Sequence, residues 1–227
     1  MLDAAFDLFS EQGYQATTIA AVAERAGVAV QTVYFTFHNK ATLFWDVVVI
    51  RRAGDDGADE VMQMQWAGQA LAEPDPRRTL AIIAEHATEI FVRLAPLASA
   101  MTMAAAAEPE IAERLELTDK QRREGMTAMM TALAAKGPLV TDVDRAVDVI
   151  DVLQSLTTYS AFTIGCGWSN EEFKAWAYRS LTQLLEPLPP ARARKADAAA
   201  TRDLSFHTLI AEGPQRRDPS RKHGGPP

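Results

Sequence analysis

Apolar residues recur at helical spacing along most of this chain. Over residues 2–12 they place Leu2, Ala5, Phe6, Leu8 and Phe9 on one broad face, with Asp3, Asp7 and Glu11 opposite. Gly13 predicts the end of that helix and Tyr14 the start of a short connection. Thr18 is a good N-cap for a helix over 19–26 that buries Ile19, Val22, Ala23 and Ala26. Gly27 follows at once, where a residue tolerant of positive φ lets two helices turn sharply. The next helix, about 30–37, buries Val33 and Phe37 and leaves Gln31, Thr32, Phe35 and Thr36 outward. Asn39 then caps a longer helix from Lys40, with Leu43, Phe44 and Val47 inward. Residues 1–50 read as a compact three-helix head built around a helix-turn-helix, running into that longer helix.

Beyond it the pattern predicts a larger helical domain over 51–187, so the fold class is all-α. The stretch 51–60, with two glycines and four acids, marks the boundary, either as a linker or as the frayed end of the long helix. Residues 61–73 form a segment containing Met and Trp. Pro76 suits the first turn of a helix over about 76–94, which Pro96 breaks or kinks before a small-residue helix to about 107. A long helix over 109–136 ends at Gly137-Pro138. A single helix is expected over 142–165, with Val143, Ala146, Val147, Ile150 and Leu153 on one stripe and Val149, Val152, Leu156 and Ser160 on an adjoining one. Together these stripes span roughly 220°, wider than the ~100° of a one-sided surface helix. Ser169 and Glu172 form a capping box for a last helix to about 186, also apolar over a wide arc. Two such helices need more than one partner, which predicts a four-helix homodimer interface through residues 142–186. From 188 to 227 the periodicity vanishes and Pro, Ala, Arg and Gly dominate, so a disordered tail is expected.

Charge sharpens this picture. The net charge is −7, but the tail 188–227 holds eight basic and four acidic residues, which leaves a surplus of eleven acids before it. A body that acidic does not attract nucleic acid over its whole surface, so any DNA contact must be local and oriented. Cys166 is the only cysteine, which excludes an intramolecular disulfide. The N-terminus lacks a basic leader and no uninterrupted apolar run approaches ~18 residues, so a cytoplasmic protein with no membrane partner is expected. The GxSxG, HExxH, Walker and GxGxxG patterns are absent and the four histidines lack metal-ligand spacing. No catalytic residue, metal or cofactor is therefore assigned.

Three stretches, LDAAFDLFSEQGYQATT (2–18), IAAVAERAGVAVQTVYFTF (19–37) and NKATLF (39–44), resemble the TetR family of bacterial transcriptional regulators. GWSNEEFKAWAYRSLTQLL (167–185) is more loosely similar to the last helix of one branch. The resemblance implies a homodimeric, ligand-responsive regulator, most simply a repressor released from a palindromic double-stranded DNA operator by a small molecule. Carried over residue by residue, Thr18 and the start of its helix would hold a phosphate. Tyr34 and Lys40 would grip phosphates, and Gln31, Thr32 and Thr36 would face the major groove, where Gln and Thr suit A·T pairs. The competing reading packs Tyr34 on the head's core and leaves Gln31 merely solvated. Ala29 stands where relatives carry a Ser cap, and Ala20 and Val30 stand where many carry basic residues. Arg25 and Lys40 face five acids within residues 1–50. The expectation is a basic arm preceding Met1 in the native protein.

The effector is expected to be largely apolar, since seven methionines besides Met1 suit an adaptable cavity. Met62, Trp66, His86, Phe91, Met101, Met126, Met130 and Tyr159 are the pocket candidates, with Met64 beside them. A plain core role competes for most of them. Glu89 and Arg93 at i, i+4 read as a surface ion pair, and Cys166 as a buried or inert thiol. A helical dimer that binds a small molecule but has lost operator binding is the alternative function.

Overall fold

A computed structural model of the chain describes residues 1–54 and 65–185. The readings for Met62, Met64, the end of the expected interface at Glu186 and the 188–227 tail lie outside those residues. The described residues are helical, with no strand and a single isolated bridge between Leu139 and Leu185.

The first four helices follow their capping chemistry. Helix α1 (Leu2–Ala16) is interrupted at Gly13, whose φ of 79° and ψ of 176° are not helical, and resumes for one short turn. That break turns Tyr14 inward, to 1% exposure. Helix α2 (Ile19–Ala26) starts at Thr18, whose hydroxyl accepts from the Ala21 N–H at 3.1 Å, and stops at Gly27 with φ 67° and ψ 32°. Helix α3 (Val30–Phe37) follows, and α4 (Lys40–Ala53) begins where Asn39 Oδ1 accepts from the Thr42 N–H at 2.7 Å. Phe9, Tyr14 and Phe44 form the centre of the core, with ring centroids 4.8–5.8 Å apart. The same core continues into Leu94, Leu97, Ala100, Ala104 and Ile111, so the four helices rest on later parts of the chain through apolar side chains.

Those later parts are α5 (Gln65–Ala72), α6 (Pro76–Leu94), α7 (Ala98–Ala107) and α8 (Pro109–Lys136). Pro96 kinks the chain through a 3₁₀ turn, Ala95–Leu97, instead of ending it. The stretch Pro76–Ala107 is long and apolar enough to cross a membrane by length and composition alone. Its Leu80, Ile83, Phe91, Leu94 and Leu97 are buried within the bundle. A second core joins α5, α6 and α8 to α9 (Val143–Leu153) and α11 (Asn170–Thr182), around Leu80, Ile83, Met130, Ile150, Phe173 and Leu181.

The single helix expected over 142–165 is in fact broken. Helix α9 ends at Leu153, Gln154 leaves the helix at φ −104° and ψ 54°, and α10 (Leu156–Ser160) begins at Ser155. The Ser155 hydroxyl accepts from the Thr158 N–H at 3.1 Å, and the Thr158 hydroxyl donates to the Val152 carbonyl at 2.6 Å. Side-chain hydroxyls therefore replace the backbone partners that a continuous helix would have used. A single π turn, Ala161–Gly165, closes the element. Cys166, which follows it, is exposed, so of the two readings of its thiol, buried or inert, the first is overturned. The capping box at Ser169 and Glu172 is present at the start of α11. Of the second apolar stripe, Val149 and Val152 face solvent, while Leu156 and Ser160 turn inward.

Glu89 does not pair with Arg93. It meets His86 Nδ1 at 2.9 Å, and Arg93 instead donates Nε to the Arg51 carbonyl (2.9 Å) and Nη2 to the Arg52 carbonyl (3.0 Å). A cation thus satisfies the last carbonyls of α4, where the helix dipole favours it. Gly54 has φ 57°, which L side chains rarely adopt, and a Cβ there would lie 2.9 Å from Arg93 Cζ and push the guanidinium aside. Arg93→Ala is expected to lower stability by about 2 kcal/mol through these two charge-assisted bonds. A shift of the urea midpoint at constant slope checks this.

Candidate nucleic-acid interface and cavity

Helix α3 is held by Val33 and Phe37, both buried, and presents Gln31, Thr32, Tyr34, Phe35 and Thr36 to solvent. Tyr34 is 51% exposed, which removes the reading that it packs on the core. Phe35 is 87% exposed and was absent from the set chosen by sequence. Its position four residues after Gln31 on a helix was the available clue. The Thr36 hydroxyl donates to the Thr32 carbonyl at 2.9 Å, so Thr36 offers its methyl group outward more than its hydroxyl. Helix α3 carries no charged side chain, and its N-cap, Ala29, makes no side-chain bond.

Charge therefore comes from the flanks. Lys40 at the start of α4 donates from Nζ to the Tyr14 carbonyl at 3.0 Å and sits 4.2 Å above the Tyr14 ring. Burial lowers its pKa, and the Glu108 carboxylate partly offsets this. An ammonium has three donors, so two remain for a phosphate. Arg25 is committed elsewhere: its guanidinium holds Glu11 through bonds of 3.1 and 2.9 Å, and the pair keeps the Glu11 carboxyl below its usual range. Thr18, exposed at the N-cap of α2, accepts from the Ala21 N–H, and the other N–H groups of that first turn lack partners within the helix.

A cavity of about 750 Å³ lies between α4 and the later helices. Trp45 and Val48 of α4 form one wall, and Ile83, Phe91, Met101 and Met126 are among the others. Of the sequence candidates, Trp66, Phe91, Met101 and Met126 line it. Met130 does not, being packed wholly into the core. Tyr159 does not either: its hydroxyl donates to Asn170 Oδ1 at 2.5 Å and its ring meets Phe91 and Phe173. His86 stacks on Trp66 at 5.5 Å from behind the wall and is held by Glu89. Sequence reasoning missed Trp45, Gln154 and Ser160, because α4 reads as part of the head and the 142–165 stretch reads as unbroken.

Residues 1–47 match the sequence profile of the bacterial regulatory proteins, tetR family. No curated protein matched the sequence. Among solved structures, the fatty acid degradation regulator FadR from Bacillus halodurans is similar, with a TM-score of 0.61 at 18% identity, covering 79% of this chain and 91% of that one. FadR from Bacillus subtilis, solved in complex with stearoyl-CoA, has a TM-score of 0.61 at 16% identity, covering 82% and 97%. The TetR family regulator PfmR from Thermus thermophilus gives 0.56 at 19%, covering 82% and 98%. This chain carries the helix-turn-helix head of the TetR family of bacterial regulatory proteins, on a helical body with the fold of solved members.

Proposed function

We propose that the chain is a ligand-responsive, homodimeric DNA-binding regulator, a repressor that leaves its operator when a small molecule fills the cavity. Residues 1–50 act as the reading head and 51–187 as the ligand-binding and dimerising body. The observation that carries this is the double role of α4: Leu43, Phe44 and Val47 sit in the head's core, while Trp45 and Val48 line the cavity. A ligand that favours one position of α4 must then bias the position of the head. Exposed Val149 and Val152 on α9, beside α11, support dimerisation through 142–186. In a dimer each α3 enters a major groove, with half-sites one or more helical turns, about 34–36 Å, apart. Gln31 and Thr32 then read base edges, and Phe35 and the Thr36 methyl meet thymine methyl groups. The regulator acts in the cytoplasm, on double-stranded DNA, and performs no reaction.

Titrating labelled DNA from the gene's own upstream region at low and moderate salt tests this. Sequence-selective binding that weakens in Gln31→Ala and in Phe35→Ala is expected. Affinity indifferent to sequence and to both substitutions overturns it. A second reading, a ligand-binding dimer without an operator, is favoured by one observation: the Arg25–Glu11 pair consumes half of the basic charge within residues 1–47. Ligand binding without any selective DNA binding decides for that reading.

A further inference from the structure

We infer that the cavity selects an uncharged, mainly apolar molecule whose polar head both donates and accepts a hydrogen bond, and that Gln154 reads that head. The inference rests on the ligand-binding half of the function proposed above and names the ligand's chemistry.

Gln154 stands at the break between α9 and α10, lines the cavity and is 3% exposed. Neither its carboxamide nitrogen nor its carboxamide oxygen has a hydrogen-bond partner among the described residues. A buried carboxamide can make up to four hydrogen bonds, and leaving both ends unmade is costly. At a position needed only for packing, an apolar residue of that volume would serve better. Ser160, on the same wall, has a buried hydroxyl oxygen that is likewise without a partner. No group among the described residues supplies the missing partners, and the cavity that both residues line is where a partner can enter.

The wall carries three charged side chains, Arg52, Asp119 and Arg122, and the last of these is already answered. Arg122, which also lines the cavity, donates to Asp151 at 2.9 Å and has Asp119 at 3.7 Å. The wall also holds the hydroxyls of Ser155, Thr157 and Ser160, which are neutral, and the apolar side chains of Phe91, Met126 and Leu156. A carboxylate or an ammonium seated against Gln154 would lose its hydration, and Arg122, already held by Asp151, has little charge left to offer it. An ester offers an acceptor and no donor, so it answers only half of Gln154. A carboxamide or lactam answers both ends. Bound water would too, but a volume near 750 Å³ is that of a site for an organic molecule.

The test uses the full chain and four probes with one twelve-carbon chain length: dodecanamide, methyl dodecanoate, dodecanoate and dodecylammonium. Binding is read below their micelle thresholds from tryptophan fluorescence, since Trp45 and Trp66 line the cavity. Dodecanamide is expected to bind about tenfold more tightly than the others, one hydrogen bond's worth of preference. Gln154→Leu should erase that preference by weakening the amide and sparing the ester, in a protein at least as heat-stable as the parent. Gln154→Met serves as the second variant if the first folds poorly. Four results overturn the inference: a preference that survives both substitutions, equal affinity for amide and ester in the parent, tightest binding of either charged probe, or no binding of any probe. The DNA titration stands apart from all four. An amide preference with DNA affinity unmoved keeps the inference and sinks the ligand-responsive regulator, and the reverse pattern does the opposite.

Discussion

Lys40→Met is expected to flatten the salt dependence of DNA binding by about two units per dimer, close to one for each phosphate deprived of its ammonium. At 0.15 M salt that corresponds to a loss on the order of 30-fold, with the curves converging toward 1 M. The size of the effect follows from the poverty of charge around α3. The reading helix has none, Arg25 is spent on Glu11, and Lys40 is the other basic residue within 1–47. Lys40→Arg keeps the charge and should keep the slope. The pH dependence supplies a second check. Burial lowers the Lys40 pKa, and phosphate binds the charged form, so affinity should fall as pH rises through that lowered value. The alkaline loss should be absent in Lys40→Met. A slope that stays unchanged on this substitution would remove Lys40 from the interface.

Much of this geometry was legible in the residues themselves. Thr18, Gly27 and Asn39 each have one physical job, and the structure places each where its capping or turning chemistry demands. The long helices at 76–94 and 109–136 are bounded by prolines at their first turn, which is a local signal. What escaped was set by tertiary contact. Nothing local to Arg93 says that it will cap α4 instead of pairing with Glu89 one turn away. The break at Gln154 hides because its flanks, Leu153 and Leu156, continue the two adjoining apolar stripes, and only the Ser155 and Thr158 hydroxyls betray it. The cavity is harder still to read. Met126 and Met130 have the same chemistry four residues apart, yet one lines the cavity and the other fills the core. Which of two neighbouring helical positions meets empty space depends on every helix around it.

The largest loss of stability is expected from Tyr14→Ala. Removing a fully buried aromatic costs about 3–5 kcal/mol, against a total of roughly 5–15 kcal/mol for a domain. A fall of roughly 10 °C or more in the melting temperature should follow. Tyr14 is placed to cost this much because it serves three structures at once. Its ring packs between Phe9 and Phe44, the Lys40 ammonium rests on the ring, and its hydroxyl donates to Glu108 Oε1 at 3.1 Å, between α7 and α8. Tyr14→Phe separates these roles. It keeps the ring under Lys40 and removes only the bond to Glu108, so its cost should be about 1 kcal/mol, with DNA binding retained. The phenol also carries a pH signature. Burial, then the bond to Glu108, holds its pKa well above the usual tyrosine range, so the folded state keeps the proton where the unfolded chain, at about pH 10, releases it. Its contribution is complete below that pH and is lost as pH rises above it. Urea midpoints measured between pH 8 and pH 11 should therefore fall more steeply in the parent than in Tyr14→Phe. If the two curves run parallel while Tyr14→Ala still unfolds early, the ring is what matters and the hydroxyl bridge to Glu108 contributes nothing.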